Sequence, residues 1–202
     1  MSRDTRKKIL EKAKELFNEK GYNMVSISDI AGELDMSKGN LTYHFNKKES
    51  IVEALIQNIP DTRPKESAKS LRDLDDFFTD TQNKIKENAF YFWHHTQLAQ
   101  VSETIRKEQE QANKATFDLL YNSFKSLNSN GLIRDEKVVN EYECIINSLQ
   151  LSIVYWAPFE DLKERKNKNI DFRYQVWTTM YPILSCKGRK ELLEIIDIPL
   201  CK

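Results

Sequence analysis

The stretch SISDIAGELDMSKGNLTYHF, residues 26–45, carries the reading of the whole chain. Ser26 opens a helix, and Asp29 stands three residues on in a variant of the capping box. Ile27, Ile30, Ala31 and Leu34 then repeat at the spacing of one helical face. In the tetrad LDMS (residues 34–37), Asp35 tolerates the left-handed backbone of a tight turn. Met36 fills the gap between helices, and Ser37 caps the next one. That next helix, KGNLTYHF (residues 38–45), turns Leu41 and Phe45 inward, with His44 beside them. Lys38, Asn40, Thr42 and Tyr43 are neither apolar nor strong helix formers, so solubility alone does not account for them. They are the groups that read DNA: Asn pairs with adenine, the Thr methyl meets thymine, and Lys and Tyr reach phosphates or base edges. Ser37 to Lys48 holds three Lys and no acid, a local excess of positive charge. The pattern fits a helix-turn-helix, and also a plain three-helix bundle whose third helix is polar.

The flanks extend the pattern. In TRKKILEKAKELFNEK (residues 5–20), Ile9, Leu10, Ala13, Leu16 and Phe17 make one stripe, and Gly21 ends the helix. Arg3, Arg6, Lys7 and Lys8 against Asp4 leave its start positive, which opposes the helix dipole and which a nearby phosphate would relieve. A fourth helix, Lys47 through Asn58, carries Ile51, Val52, Leu55, Ile56 and Ile59 on a wide apolar face. The candidate DNA contacts are Ser26, Ser37, Lys38, Gly39, Asn40, Thr42, Tyr43, His44, Lys47 and Lys48.

Residues 9–55 resemble the N-terminal domain of the TetR family of bacterial repressors. The resemblance rests on Ile9-Leu10, Ala13, Leu16-Phe17, Gly21-Tyr22, Ser28-Asp29-Ile30-Ala31, Met36-Ser37-Lys38-Gly39, Leu41, Tyr43-His44-Phe45, Lys48-Glu49 and Leu55, in order and without gaps. It implies that the third helix enters the major groove and that Lys48 lies by the DNA backbone. It also implies a helical C-terminal domain that dimerises and binds a small effector, which moves the two DNA-reading heads out of register. Leu34-Asp35 stands where the family usually has Ala-Gly, and Thr42 where it usually has an aromatic.

The expected fold is all-α, with a helix-turn-helix domain over residues 1–59 and a helical effector-binding and dimerisation domain over 60–202. Pro60 and Pro64 mark the break. Beyond it come helical stripes: Leu71, Leu74, Phe77, Phe78 and Ile85; then the polar-to-apolar run from Ser102 to Gly131; then a segment capped by Asp135 and ended by Pro158; then FRYQVWTTMYPILS and GRKELLEIID. No strand-like alternation appears. The 202 residues are balanced at 31 basic and 31 acidic, so any contact with nucleic acid is local. Cys144, Cys186 and Cys201 form neither a disulfide nor a zinc pattern, and no signal peptide or membrane-length apolar run is seen, which points to the cytoplasm. No cofactor or metal is expected: His94 and His95 are adjacent and point about 100° apart on a helix.

Phe92, Trp93, His95, Phe117, Tyr121, Tyr155 and Trp156 are candidates to line an effector pocket, with ordinary core as the alternative that is favoured for each residue taken singly. Leu149, Ile153, Trp177, Met180, Tyr181 and Leu184 stand evenly between a homodimer seam and the monomer core. A two-fold dimer reads a palindromic operator. The alternatives are a dimeric helical adaptor without DNA binding, and a helical enzyme, for which no phosphate loop, nucleophile elbow or metal cluster speaks.

Overall fold

The computed structural model describes residues 2–162 and 170–196, with the backbone alone at residues 2 and 3. Its helices in chain order are α1 (Ser2–Lys20), α2 (Ile27–Glu33), α3 (Lys38–His44), α4 (Lys48–Gln57), α5 (Leu71–Glu87), α6 (Ala89–Trp93), α7 (His95–Val101), α8 (Glu103–Ser129), α9 (Glu141–Leu162), α10 (Phe172–Met180) and α11 (Cys186–Ile195). Short 3-10 turns lie at Tyr22–Met24 and Tyr181–Ile183. Among the described residues β structure is confined to an isolated bridge between Ile133 and Leu184. The fold is all-α, as the periodicities require. No described helix is long and apolar enough to cross a membrane.

The chain forms two compact units. The first is Met1–Asp61 with Glu87–Glu110, and the second is Thr62–Lys86 with Gln111–Lys202. The sequence reading assigns everything after residue 59 to one domain, whereas residues 87–110 return to the first unit. Their apolar side chains Phe90, Leu98 and Ile105 are fully buried in one cluster with Ile9, Phe17, Ile30, Leu41, Ile51 and Val52. Polar links hold the same segment. Asn18 donates to the Glu87 carbonyl and accepts from the Phe90 amide, Ser102 donates to Glu53 at 2.6 Å, and Gln57 donates to Glu108 at 3.2 Å. Such partners lie far apart in sequence, so a pass along the chain does not pair them.

Local signals in the first unit behave as their chemistry dictates. Gly21 ends α1 at φ 80°, a backbone region a side chain would strain. Ser26 and Asp29 close the capping box reciprocally, and Asp35 turns the chain at φ 51°. Met36 packs, partly buried, against the core. Ser37 accepts the Asn40 amide at 3.1 Å and starts α3.

The second unit is built on Leu71, Leu74, Phe78, Leu120, Phe124, Ile146, Leu149, Phe172, Val176, Trp177 and Met180, all buried. Its polar centre is Asp75, which accepts a two-pronged bond from Arg173 at 2.6 and 2.7 Å and a third from the Trp177 indole at 2.9 Å. Two boundaries differ from the sequence reading. Pro158 lies inside α9 rather than ending it, because a lost N–H and a local clash are tolerated when flanking turns are held by packing. Asp135 caps nothing: α9 begins at Glu141 after Asn140 at φ 61°, and Val138 and Val139 are exposed.

Candidate nucleic-acid interface

The α3 surface follows from which of its residues the core takes. Leu41 and Phe45 are buried at one-turn spacing, which fixes the helix roll. Ser37, Lys38, Gly39, Asn40 and Tyr43 are then exposed together, with Thr42 and His44 half-buried at the edges. Tyr43 is 83% exposed, its ring edge-on to that of His44 at 5.3 Å. An aromatic left in water on a seven-residue helix gains nothing from folding, so its selection lies elsewhere.

Hydrogen bonds decide which polar groups remain available. The Ser26 hydroxyl accepts from the Asp29 amide and donates to the Asp29 carboxylate at 2.7 Å, so its proton is committed to the cap. The hydroxyl's bond, with a second from the Ser26 amide at 2.7 Å, holds the Asp29 carboxyl below the usual range. Thr42 donates to the Gly39 carbonyl at 3.1 Å and likewise spends its proton inside the helix. Ser37 only accepts, leaving its O–H to donate outward. Lys48, which the resemblance implies at the DNA backbone, donates to the carbonyls of Tyr22 (2.9 Å) and Val25 (3.0 Å) and sits 4.0 Å from the Tyr22 ring centroid. Burial pushes its pKa down. It is first a brace for the turn into α2, with one N–H left over.

The free cations are others. Lys7 and Lys8 at the start of α1 pair with Glu11 and Asp4, while Arg6 lies 4.4 Å from the Phe45 ring centroid. Among the described residues Arg6, Lys38 and Lys47 are paired with no acid. The Arg3 side chain lies outside the described residues. Arg6, Thr42, Tyr43, His44, Asn46 and Ser50 border an open cleft of about 410 Å³ beside α3. A polar helix face, unpaired cations and an adjoining polar cleft make a surface suited to a phosphate backbone with bases beyond it.

Residues 9–55 match the family model described as "Bacterial regulatory proteins, tetR family". They form a TetR-family domain. Among similar proteins, the "Biofilm operon icaADBC HTH-type negative transcriptional regulator IcaR" of Staphylococcus aureus (strain Newman) is 42% identical over 50 residues, 25% of this chain and 27% of that protein. The chain thus matches about a quarter of that relative's length. A TetR-family transcriptional regulator from Marinobacter aquaeolei VT8 superposes with a TM-score of 0.80 at 24% identity, covering 95% of this chain and 96% of that one. A putative transcriptional regulator from Saccharomonospora viridis, solved with choline, gives 0.67 at 18% identity over 90% and 98%. Those two likenesses, each under 25% identical, show the fold alone.

Outside the TetR-family domain the sequence-derived candidates scatter. Of the pocket candidates, Phe92, Trp93 and His95 fall in the first unit, and Phe117, Tyr121, Tyr155 and Trp156 in the second. His95 is half-buried against Tyr91, and burial lowers its pKa; the same burial raises Tyr91 to about 12. Phe117 and Tyr121 stack on α8 at 5.9 Å, with Lys125 above Tyr121. Of the seam candidates, Leu149, Trp177, Met180 and Leu184 are buried inside the second unit, which removes them from any outer surface; only Ile153 and Tyr181 are partly exposed. Apolar periodicity marks what is hidden, and it does not distinguish hiding by the chain itself from hiding by a partner. Leu151, Phe159 and Leu162, which the sequence reading passes over, form with the pocket candidate Tyr155 a one-sided exposed stripe on α9.

Proposed function

We propose that this protein is a DNA-binding transcriptional regulator that lays α3 in the major groove and acts as a homodimer on a palindromic operator. The observation that carries the reading is Tyr43, exposed on α3 among Lys38, Asn40 and the unpaired Arg6 and Lys47. Ser37, Asn40 and Tyr43 supply the hydrogen bonds that read bases or grip phosphates, and the cations supply the salt-dependent part of the affinity. Repression is the sign favoured by the relative described as a negative regulator. The exposed α9 stripe supports self-association, since an apolar row of that length is stabilised by a second copy. A small-molecule effector completes the proposal, supported by the choline bound to a regulator of the same fold.

Selection of bound sequences from random duplexes by the purified protein tests the reading. One palindromic motif is the expected outcome. Retention no better than non-specific, with no enriched sequence, sinks it.

A further inference from the structure

Asn40 is the third residue of α3, exposed, and one helical turn from both Ser37 and Tyr43. Its backbone amide donates to the Ser37 hydroxyl at 3.1 Å, which pins the first turn of the helix. Among the described residues no hydrogen bond reaches its carboxamide. Comparable groups of the first unit are spent inside the chain. Asn18 and Asn23 each donate and accept, and Thr42 gives its proton to the Gly39 carbonyl. Gly39, beside Asn40, has no reason within the chain to be glycine: an added Cβ would meet only the Ser37 hydroxyl oxygen, at 3.9 Å. A helical glycine is destabilising against alanine, so this one is explained by close approach of another molecule to the start of α3. Close approach is what a side chain as short as asparagine needs to reach a base edge.

A carboxamide offers a fixed pair in one plane, an N–H donor and an oxygen acceptor. In the major groove adenine presents the matching pair, the N7 acceptor beside the N6 amino donor. Guanine presents two acceptors there, cytosine a donor alone, and thymine an acceptor with a methyl group. The exposed neighbours of Asn40 lack this selectivity. Ser37 and Tyr43 carry hydroxyls, which donate or accept as the partner demands. Lys38 is a point charge on a flexible stem that a phosphate satisfies as well as a base does. We propose that Asn40 is a specificity-determining residue of α3, its carboxamide pairing with one adenine in each half-site. Oδ1 accepts from the adenine N6 amino group and Nδ2 donates to N7, while Ser37, Lys38 and Tyr43 supply affinity that does not choose between bases. The inference rests on the DNA-binding reading and names what that surface recognises.

Two measurements on the full chain test it. Selection from random duplexes is run in parallel on the native protein and Asn40→Ala. The native motif should hold an A·T pair in each half-site that Asn40→Ala leaves random, with the remaining positions kept. The preference lost there should be on the order of tenfold to a hundredfold. The second measurement changes one atom of the base and needs no variant that must fold. Placing 7-deazaadenine at that position puts a C–H where N7 accepts, and native binding should weaken about tenfold, the loss of one hydrogen bond. Asn40→Ala should bind the two duplexes alike, whereas a residue that merely shaped α3 would leave that loss in place. Native binding that ignores 7-deazaadenine, a motif that Asn40→Ala leaves intact, or relaxation at a G·C pair overturns the proposal and leaves the DNA reading standing. A native chain that enriches no sequence overturns both.

Discussion

At the scale of single residues, exposure and hydrogen bonding separate two side chains that a motif treats alike. Tyr43 stands in water and Lys48 is half-buried with its ammonium bonded to two carbonyls, although both belong to the string that resembles the TetR family. Tyr43→Ala should therefore weaken operator binding while changing unfolding free energy by less than about 0.5 kcal/mol, as exposed substitutions do. Denaturation and binding isotherms on one preparation check it, and a large stability loss would make Tyr43 a packing residue. Lys48→Ala should instead cost about 1–3 kcal/mol, because two carbonyls lose their donor. Its midpoint in urea would be unchanged if the ammonium served DNA alone. Asp75 shows what the chain conceals at this scale. Its partners Arg173 and Trp177 lie 98 and 102 residues away, and no spacing rule reaches that far.

At the scale of elements, short-range chemistry set the first unit well and the second less well. Gly21, the Ser26–Asp29 box, Asp35 and Ser37 each act within four residues of themselves, so their roles are readable in order along the chain. The start of α11 is decided otherwise. Ser185 N–H donates to the Leu132 carbonyl, and Gly188 packs so tightly there that a Cβ would stand 2.0 Å from the same oxygen. Gly188→Ala must push backbone from backbone. It should cost more than the gain of a few tenths to about 1 kcal/mol that Gly→Ala brings where the helix has room. Gly32→Ala is the matched control, since nothing lies within 4 Å of its added Cβ. Thermal midpoints should fall for the first substitution and hold or rise for the second; equal midpoints would mean that α11 shifts freely.

At the scale of the whole molecule, the α9 stripe carries the clearest expectation. Leu151, Tyr155, Phe159 and Leu162 are 60%, 46%, 56% and 80% exposed, spaced by four, four and three residues. If they meet a second copy, the pair Leu151→Asp and Tyr155→Asp should convert a sedimenting dimer into a monomer with unchanged helical circular dichroism. The monomer should also bind a half-site far more weakly than the dimer binds the palindrome. A native chain that sediments as a monomer at micromolar concentration would count against the stripe and the palindrome together.

The sequence by itself determined that the chain is helical, where the helix-turn-helix begins and turns, and which residues of α3 the core takes. Those properties depend on caps, turn conformers and a 3.6-residue period, all interactions within a few residues of each other. Only the tertiary structure decided that residues 87–110 belong with the first unit, that Lys48 braces a turn, and that Leu149, Trp177, Met180 and Leu184 are core rather than seam. Each of these is a choice of partner across dozens of residues, and burial is a property of the assembled packing, so the apolar pattern records that a side chain is hidden without recording by what.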